Sequence, residues 1–185
     1  MKRGSVCRLA AVVALMSFIG CGDSSPTEPA PFDPSGTHQA VLTGVGWSGA
    51  GGISLTPRAA GGPFIVDIKV RLRNAKPNTT YFVQRASEAG TRALSNDGVC
   101  QRGLSVAPWS SADPPAAPFV TFPQADDTTP VSFVTTATGV GSIDFTFTTA
   151  TIVAGTRFDV MFRLINDVAL PTSVLLSECI TVLAL

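Results

Sequence analysis

Residues 64–73 read FIVDIKVRLR, placing Val66, Ile68, Val70 and Leu72 on one side of a two-residue alternation and Asp67, Lys69, Arg71 and Arg73 on the other. Successive strand side chains point to opposite faces, so this pattern predicts a half-buried β-strand. Asn74 to Asn78 (NAKPN) has turn chemistry, and Thr79 to Ala86 (TTYFVQRA) is again rich in β-formers, which predicts a hairpin or a corner between sheets. A second hairpin is expected from Val131–Thr136 and Ser142–Thr148 through Gly139-Val140-Gly141, with Ile143, Phe145 and Phe147 facing the interior. Phe158, Val160, Phe162 and Leu164 then alternate with Asp159, Met161 and Arg163, and Val174 to Leu183 reads as a closing strand. Weaker strands near 39–45 and 53–56 bring the expected total to about eight, and no segment carries a helical period. Short strands punctuated by Gly and Pro argue for an all-β, antiparallel sandwich. Val106 to Pro130, which holds six prolines, is expected to be an irregular surface excursion.

The N-terminus has a different character. Lys2, Arg3 and Arg8 precede an uncharged apolar run, Leu9 to Gly20, which is the layout of an export signal. A helix of that length spans about 18 Å against a hydrocarbon core of about 30 Å, so a permanent transmembrane helix is the weaker reading. The run closes with Phe18-Ile19-Gly20-Cys21, which resembles the lipobox of bacterial lipoproteins. That resemblance implies cleavage after Gly20, acylation (palmitate or similar chains) at Cys21, and attachment to a membrane through the lipid anchor. Gly22, rather than Asp, after the cysteine favours the outer membrane of the cell envelope. The alternative is an ordinary secretory signal cut after Gly22. On the lipoprotein reading, residues 1–20 are the signal peptide and 21–36 are the lipidated cysteine with a disordered, proline-rich tether. Residues 37–185 are then a single domain, long enough for a normal core.

Within that domain, LRNAKPNTTYFVQ resembles the L-x-x-L-x-P-x-T-x-Y stretch of fibronectin type III and related immunoglobulin-like domains, with Ala75 in place of the second Leu. The resemblance implies an immunoglobulin-like β-sandwich and brings no ligand with it. Removing the signal leaves ten basic against thirteen acidic side chains, a net charge of −3, and no basic run with interleaved aromatics, so no nucleic-acid partner is expected. If Cys7 leaves with the signal and Cys21 is lipidated, Cys100 and Cys179 remain as one pair, expected to be a disulfide in an oxidising compartment.

Candidate chemistry is sparse. The one histidine, His38, falls at the tether junction as a solvated residue, and a lone histidine supplies neither a Ser-His-Asp triad nor a two-histidine zinc site. Gly44-Val45-Gly46-Trp47-Ser48-Gly49 matches G-x-G-x-x-G, yet AGGISLTPRAAGG follows where a dinucleotide site needs a helix, so a glycine-rich loop is predicted. Glu88 and Glu178 are the only glutamates beyond the tether, which disfavours glycosidase chemistry. Asp97, Asp126 and Asp127 have the oxygens for Ca²⁺ without an EF-type spacing and read first as turn residues. Neither a metal nor a cofactor is expected. Trp47 and Trp109 sit in Gly- or Pro-flanked stretches, where they either stack on a sugar or peptide or plug the ends of the core. The reading that follows is a non-enzymatic, membrane-anchored lipoprotein with an interaction or structural role and an unidentified protein or glycan partner. A carbohydrate- or peptide-binding module using Trp47 and Trp109 is the alternative, and a hydrolase with an atypical site is third.

Overall fold

The computed structural model describes residues 36–59, 61–87, 96–100 and 119–185, all within one unit, Pro31–Leu185. The expectations for the signal segment, for Cys21 and nearly all of the tether, and for Trp109 lie outside those residues. The described chain is all-β and antiparallel. Its strands are β1 (His38–Gly44), β2 (Ala50–Arg58), β3 (Phe64–Arg73), β4 (Thr80–Ser87), β5 (Val120–Thr121), β6 (Ser132–Val134), β7 (Gly141–Thr149), β8 (Arg157–Ile165), β9 (Val174–Ser177) and β10 (Ile180–Leu183). They form one hydrogen-bonded sheet in the order β5-β4-β8-β9-β1-β2-β3-β7, with β6 on β4 and β10 on β8. The sheet curls into a half-barrel. Phe122, beside β5, accordingly reaches Phe145 and Phe147 on β7 at the other end of the order, with ring centroids 5.2 and 5.1 Å away.

The alternation of β3 translates directly into burial. Val66, Ile68, Val70 and Leu72 are buried, while β2 and β7 flank the strand in long antiparallel registers, from Ile65 opposite Arg58 to Leu72 opposite Gly141. The outward faces carry Arg58–Asp67 and Arg71–Asp144 ion pairs, and Thr146 Oγ1 donates to Asp67 Oδ1 at 2.7 Å. These pairs are exposed and contribute little to stability. On β7 the inward residues Ile143, Phe145 and Phe147 are only half-buried, because the strand is an edge.

The NAKPN segment turns a corner between β3 and β4, which do not pair with each other. Asn74 and Asn78 take positive φ (54° and 49°), which Asn tolerates at small cost. Ala75 stands where the fibronectin-like pattern has Leu, and the space is taken by backbone: Gly139, at φ 73°, lies so close that a Cβ there would be 2.2 Å from the Ala75 carbonyl oxygen. Thr135 ties the corner together, its hydroxyl donating to Lys76 O at 2.6 Å and accepting from Thr79 N at 3.0 Å. Tyr81 is fully buried and hydrogen-bonds Ser173 Oγ at 2.6 Å.

Four expectations are corrected. The second hairpin does not form: β6 pairs with β4, and β7 pairs with β3, so the Gly139 turn is another corner. Strand β8 is buried on both faces, Asp159, Met161 and Arg163 included, because Ala86, Cys100 and Phe119 cover its second side. The closing strand is split at Glu178-Cys179. Both halves pair with β8, and three residues (177–179) lie opposite two (161–162), which is a bulge. Phe162 N, at the gap, donates instead to Ser177 Oγ at 2.8 Å. Finally, the end of the proline-rich region is interior: Phe119 and Phe122 are buried, and Phe122 sits among Phe145, Phe147 and Phe162.

Candidate functional site

The glycine-rich motif is the β1–β2 hairpin loop, closed by Gly44 N donating to Gly49 O at 2.7 Å. Gly44 and Gly49 serve packing, while Gly46 takes a positive φ of 76° in the turn. A Cβ on Gly49 would lie 2.1 Å from the Trp47 ring, and one on Gly44 would lie 2.7 Å from the Trp47 carbonyl oxygen. Trp47 therefore folds back over its own loop, half-buried against the core, and its Nε1 donates to Val174 O at 3.1 Å across to β9. Its indole N–H is spent on the scaffold. His38 opens β1 as a half-buried strand residue rather than a solvated linker residue.

Cys100 and Cys179 form the disulfide, with Cα atoms 5.6 Å apart. It fastens the 96–100 segment over the second face of β8. Beneath it, Asp159 is fully buried and accepts from Gly98 N at 2.8 Å and Thr181 Oγ1 at 2.5 Å. Burial pushes the Asp159 carboxyl above the ordinary carboxylate range, against the opposing pull of those two donors, and the nearby Asp97 raises it further. Alongside, Arg163 Nε donates to Gln84 Oε1 at 2.9 Å, and the guanidinium lies 4.1 Å from the Phe119 ring centroid.

The acids considered for Ca²⁺ are turn residues. Asp126 accepts from Thr128 N, Thr129 N and Thr129 Oγ1, and these bonds hold its carboxyl down at about 2. Asp127 takes positive φ, and Asp97 Oδ1 accepts from Val99 N at 2.9 Å. Among the described residues no group of three His, Cys, Asp or Glu side chains gathers to hold a metal ion.

What the sequence reading missed is a cation in the seam of the half-barrel. Arg85 belongs to β4, but its guanidinium turns into a cleft lined by Leu55, Phe122, Phe147, Ile152 and Phe158. The guanidinium carbon lies 4.2 Å from the Phe147 centroid and 4.6 Å from the Phe122 centroid. Nη1 is buried and has no hydrogen-bond partner, and burial pulls the group down to about 10. Aromatic faces stabilise a cation without neutralising it, so the positive charge stands without a counter-charge among the described residues. The available signal was alternation, which puts Arg85 on the same face of the strand as Tyr81 and Val83.

A second surface feature is a shallow groove on the outer side of β1, β2 and β3, where Gly52 leaves a gap between Gln39, Val41, Ser54, Lys69 and Arg71. Of its two cations, Lys69 and Arg71, the second is already paired with Asp144.

No family model matches the chain, and no curated protein or solved structure matches it.

Proposed function

We propose that this chain is a non-enzymatic lipoprotein of the bacterial envelope, anchored through Cys21 and presenting an immunoglobulin-like sandwich as an interaction domain. The connections support the finer fold assignment: the one curled sheet carries β2, β3 and β7 toward one end of its order and β6, β4, β8 and β10 toward the other, and the chain passes between these two groups at the NAKPN and Gly139 corners. That arrangement suits a Greek-key sandwich.

The observation that carries the interaction role is the free edge of β7. It is nine residues long, has no proline or bulge, and is paired on one side only, among the described residues, with half-exposed Ile143, Phe145 and Phe147 along it. Natural sheets normally shorten or cover such an edge, and strand addition is the recognition mode it suits. Trp47, with its N–H occupied and its ring over Gly49, suits a plug better than a sugar platform.

The test has two parts. Fractionation of the native host should place the wild-type chain in membranes and release Cys21→Ala or leave it as precursor; an unmodified mature N-terminus by intact mass ends the anchor reading. Amide exchange of the full chain should show extra protection across residues 142–148 in envelope vesicles relative to detergent solution. Equal exchange in the two refutes the β7 edge as the interaction surface.

A further inference from the structure

Strand β7 ends the sheet order, and among the described residues only β3 pairs with it. Its outward face carries Ser142, Asp144, Thr146 and Thr148, so Asp144 is the one charge on the strand; Ile143, Phe145 and Phe147 share the inward face. When such a strand meets a second copy of itself antiparallel about a twofold axis, one residue lies at the axis and directly opposite side chains share a face. The residue at the axis fixes the register. Phe145 is the midpoint of Gly141–Thr149, so only an axis there pairs all nine positions. In that register Asp144 of each copy lies opposite Thr146 of the other, Ser142 opposite Thr148, and Ile143 opposite Phe147, while the two Phe145 rings meet. An axis at Asp144 would instead set two carboxylates face to face. The register that pairs the most residues therefore opposes no like charges. Asp144 and Asp67, the carboxylates nearest the junction, keep their own partners, Arg71 and Arg58.

We propose that β7 is a self-association edge: two copies of this chain pair antiparallel through Gly141–Thr149 about a twofold axis at Phe145, joining their sheets into one. This rests on the β7 edge being the interaction surface and names its occupant. The aromatic row of each copy then covers the half-exposed row of the other, with Ile143 against Phe147 on either side of the axis. One strand pair is a small interface, so the dimer is weak in dilute solution and fills as copies are crowded together, as on a shared membrane.

The test follows amide exchange at residues 142–148 of the full chain in detergent, from micromolar to millimolar concentration, with sedimentation equilibrium alongside. Protection across that stretch should rise with concentration in step with a monomer–dimer equilibrium. Thr146→Lys sets an ammonium opposite Asp144 twice per dimer and should tighten it roughly threefold or more, whereas Thr146→Glu sets carboxylates opposite each other and should weaken it at least as much. Tightening is a change that a merely destabilised fold does not produce. The proposal is overturned by exchange at 142–148 that ignores concentration, by dimers that leave this stretch unprotected, or by the two variants shifting the equilibrium equally. Should Thr146→Glu fail to fold, a Thr146→Lys dimer no tighter than wild type overturns it too. Protection in envelope vesicles without any concentration dependence in detergent would assign the edge to another envelope component, so that the interaction role stands and self-pairing falls.

Discussion

Breaking the Cys100–Cys179 bond is the perturbation whose size the structure sets most directly. The two cysteines are 79 positions apart, so the bond closes a loop that contains β5 to β9. In the chain-entropy treatment a closed loop of about 80 residues removes roughly 4.5 kcal/mol of freedom from the unfolded state at 25 °C. That is a large part of the ~5–15 kcal/mol that holds a typical domain together. Packing adds to the effect, since Cys100 is buried with Ala86, Phe119 and Met161, so its replacement also thins the cover over β8. For a domain of this size, 1 kcal/mol moves Tm by roughly 2–4 °C, and the double variant Cys100→Ala/Cys179→Ala should melt about 10–18 °C lower. Urea unfolding of wild type with and without reductant supplies the free energy, and the m-value should rise on reduction because the released unfolded chain exposes more surface. Thiol titration of the unreduced, denatured chain provides the control. Two reactive thiols from Cys100 and Cys179, or a reduction-linked loss below about 1 kcal/mol, would show that the bond is absent or that the loop is already constrained when unfolded.

Three further outcomes are expected. Phe145→Ala should cost about 2–3 kcal/mol, below the range for a fully buried Phe because β7 is an edge, while the outward Thr146→Ala should stay within about 1 kcal/mol by urea unfolding; equal losses would mean the β7 register is inverted. Asp159 has a folded pKa above its unfolded value, so its contribution is fully present below the unfolded pKa and fades as pH rises through the folded one; Asp159→Asn should therefore gain on wild type between pH 4 and pH 7, and a constant difference across that window refutes the assignment. Gly49→Ala should push Trp47 off its loop, red-shifting its emission and destabilising the domain, whereas Gly46→Ala, with open space around it but φ at 76°, should leave the emission unchanged; identical spectra for both variants would argue against the folded-back ring.

Periodicity gave the face of each strand more reliably than its neighbours. In β3 the alternation with Asp67, Lys69 and Arg71 was unambiguous because water covers that side. In β8 the same pattern misled, since Asp159, Met161 and Arg163 lie under a cover tied down by a disulfide whose two cysteines are 79 positions apart. No local pattern encodes such a cover. The Gly139 turn suggested a hairpin on chemistry that serves a corner equally well, and pairing partners are decided by long-range packing around Phe122 and Tyr81. Arg85 was missed for a different reason: alternation puts it on the inner face of β4 with the fully buried Tyr81 and Val83, but its charge reads as that of a solvent-facing residue.

Strand β1 has a mechanical consequence. It is the first strand after Gly36 and is held on both sides, by β2 from His38 to Thr43 and by β9 from Leu42 to Gly44. A pull along β1 from its N-terminal end loads these ladder bonds together, in shear, instead of peeling them one after another. The domain should then resist tension from that end far better than tension applied across the strand, and a chain tethered by its N-terminus to a moving surface would be gripped at its strongest point.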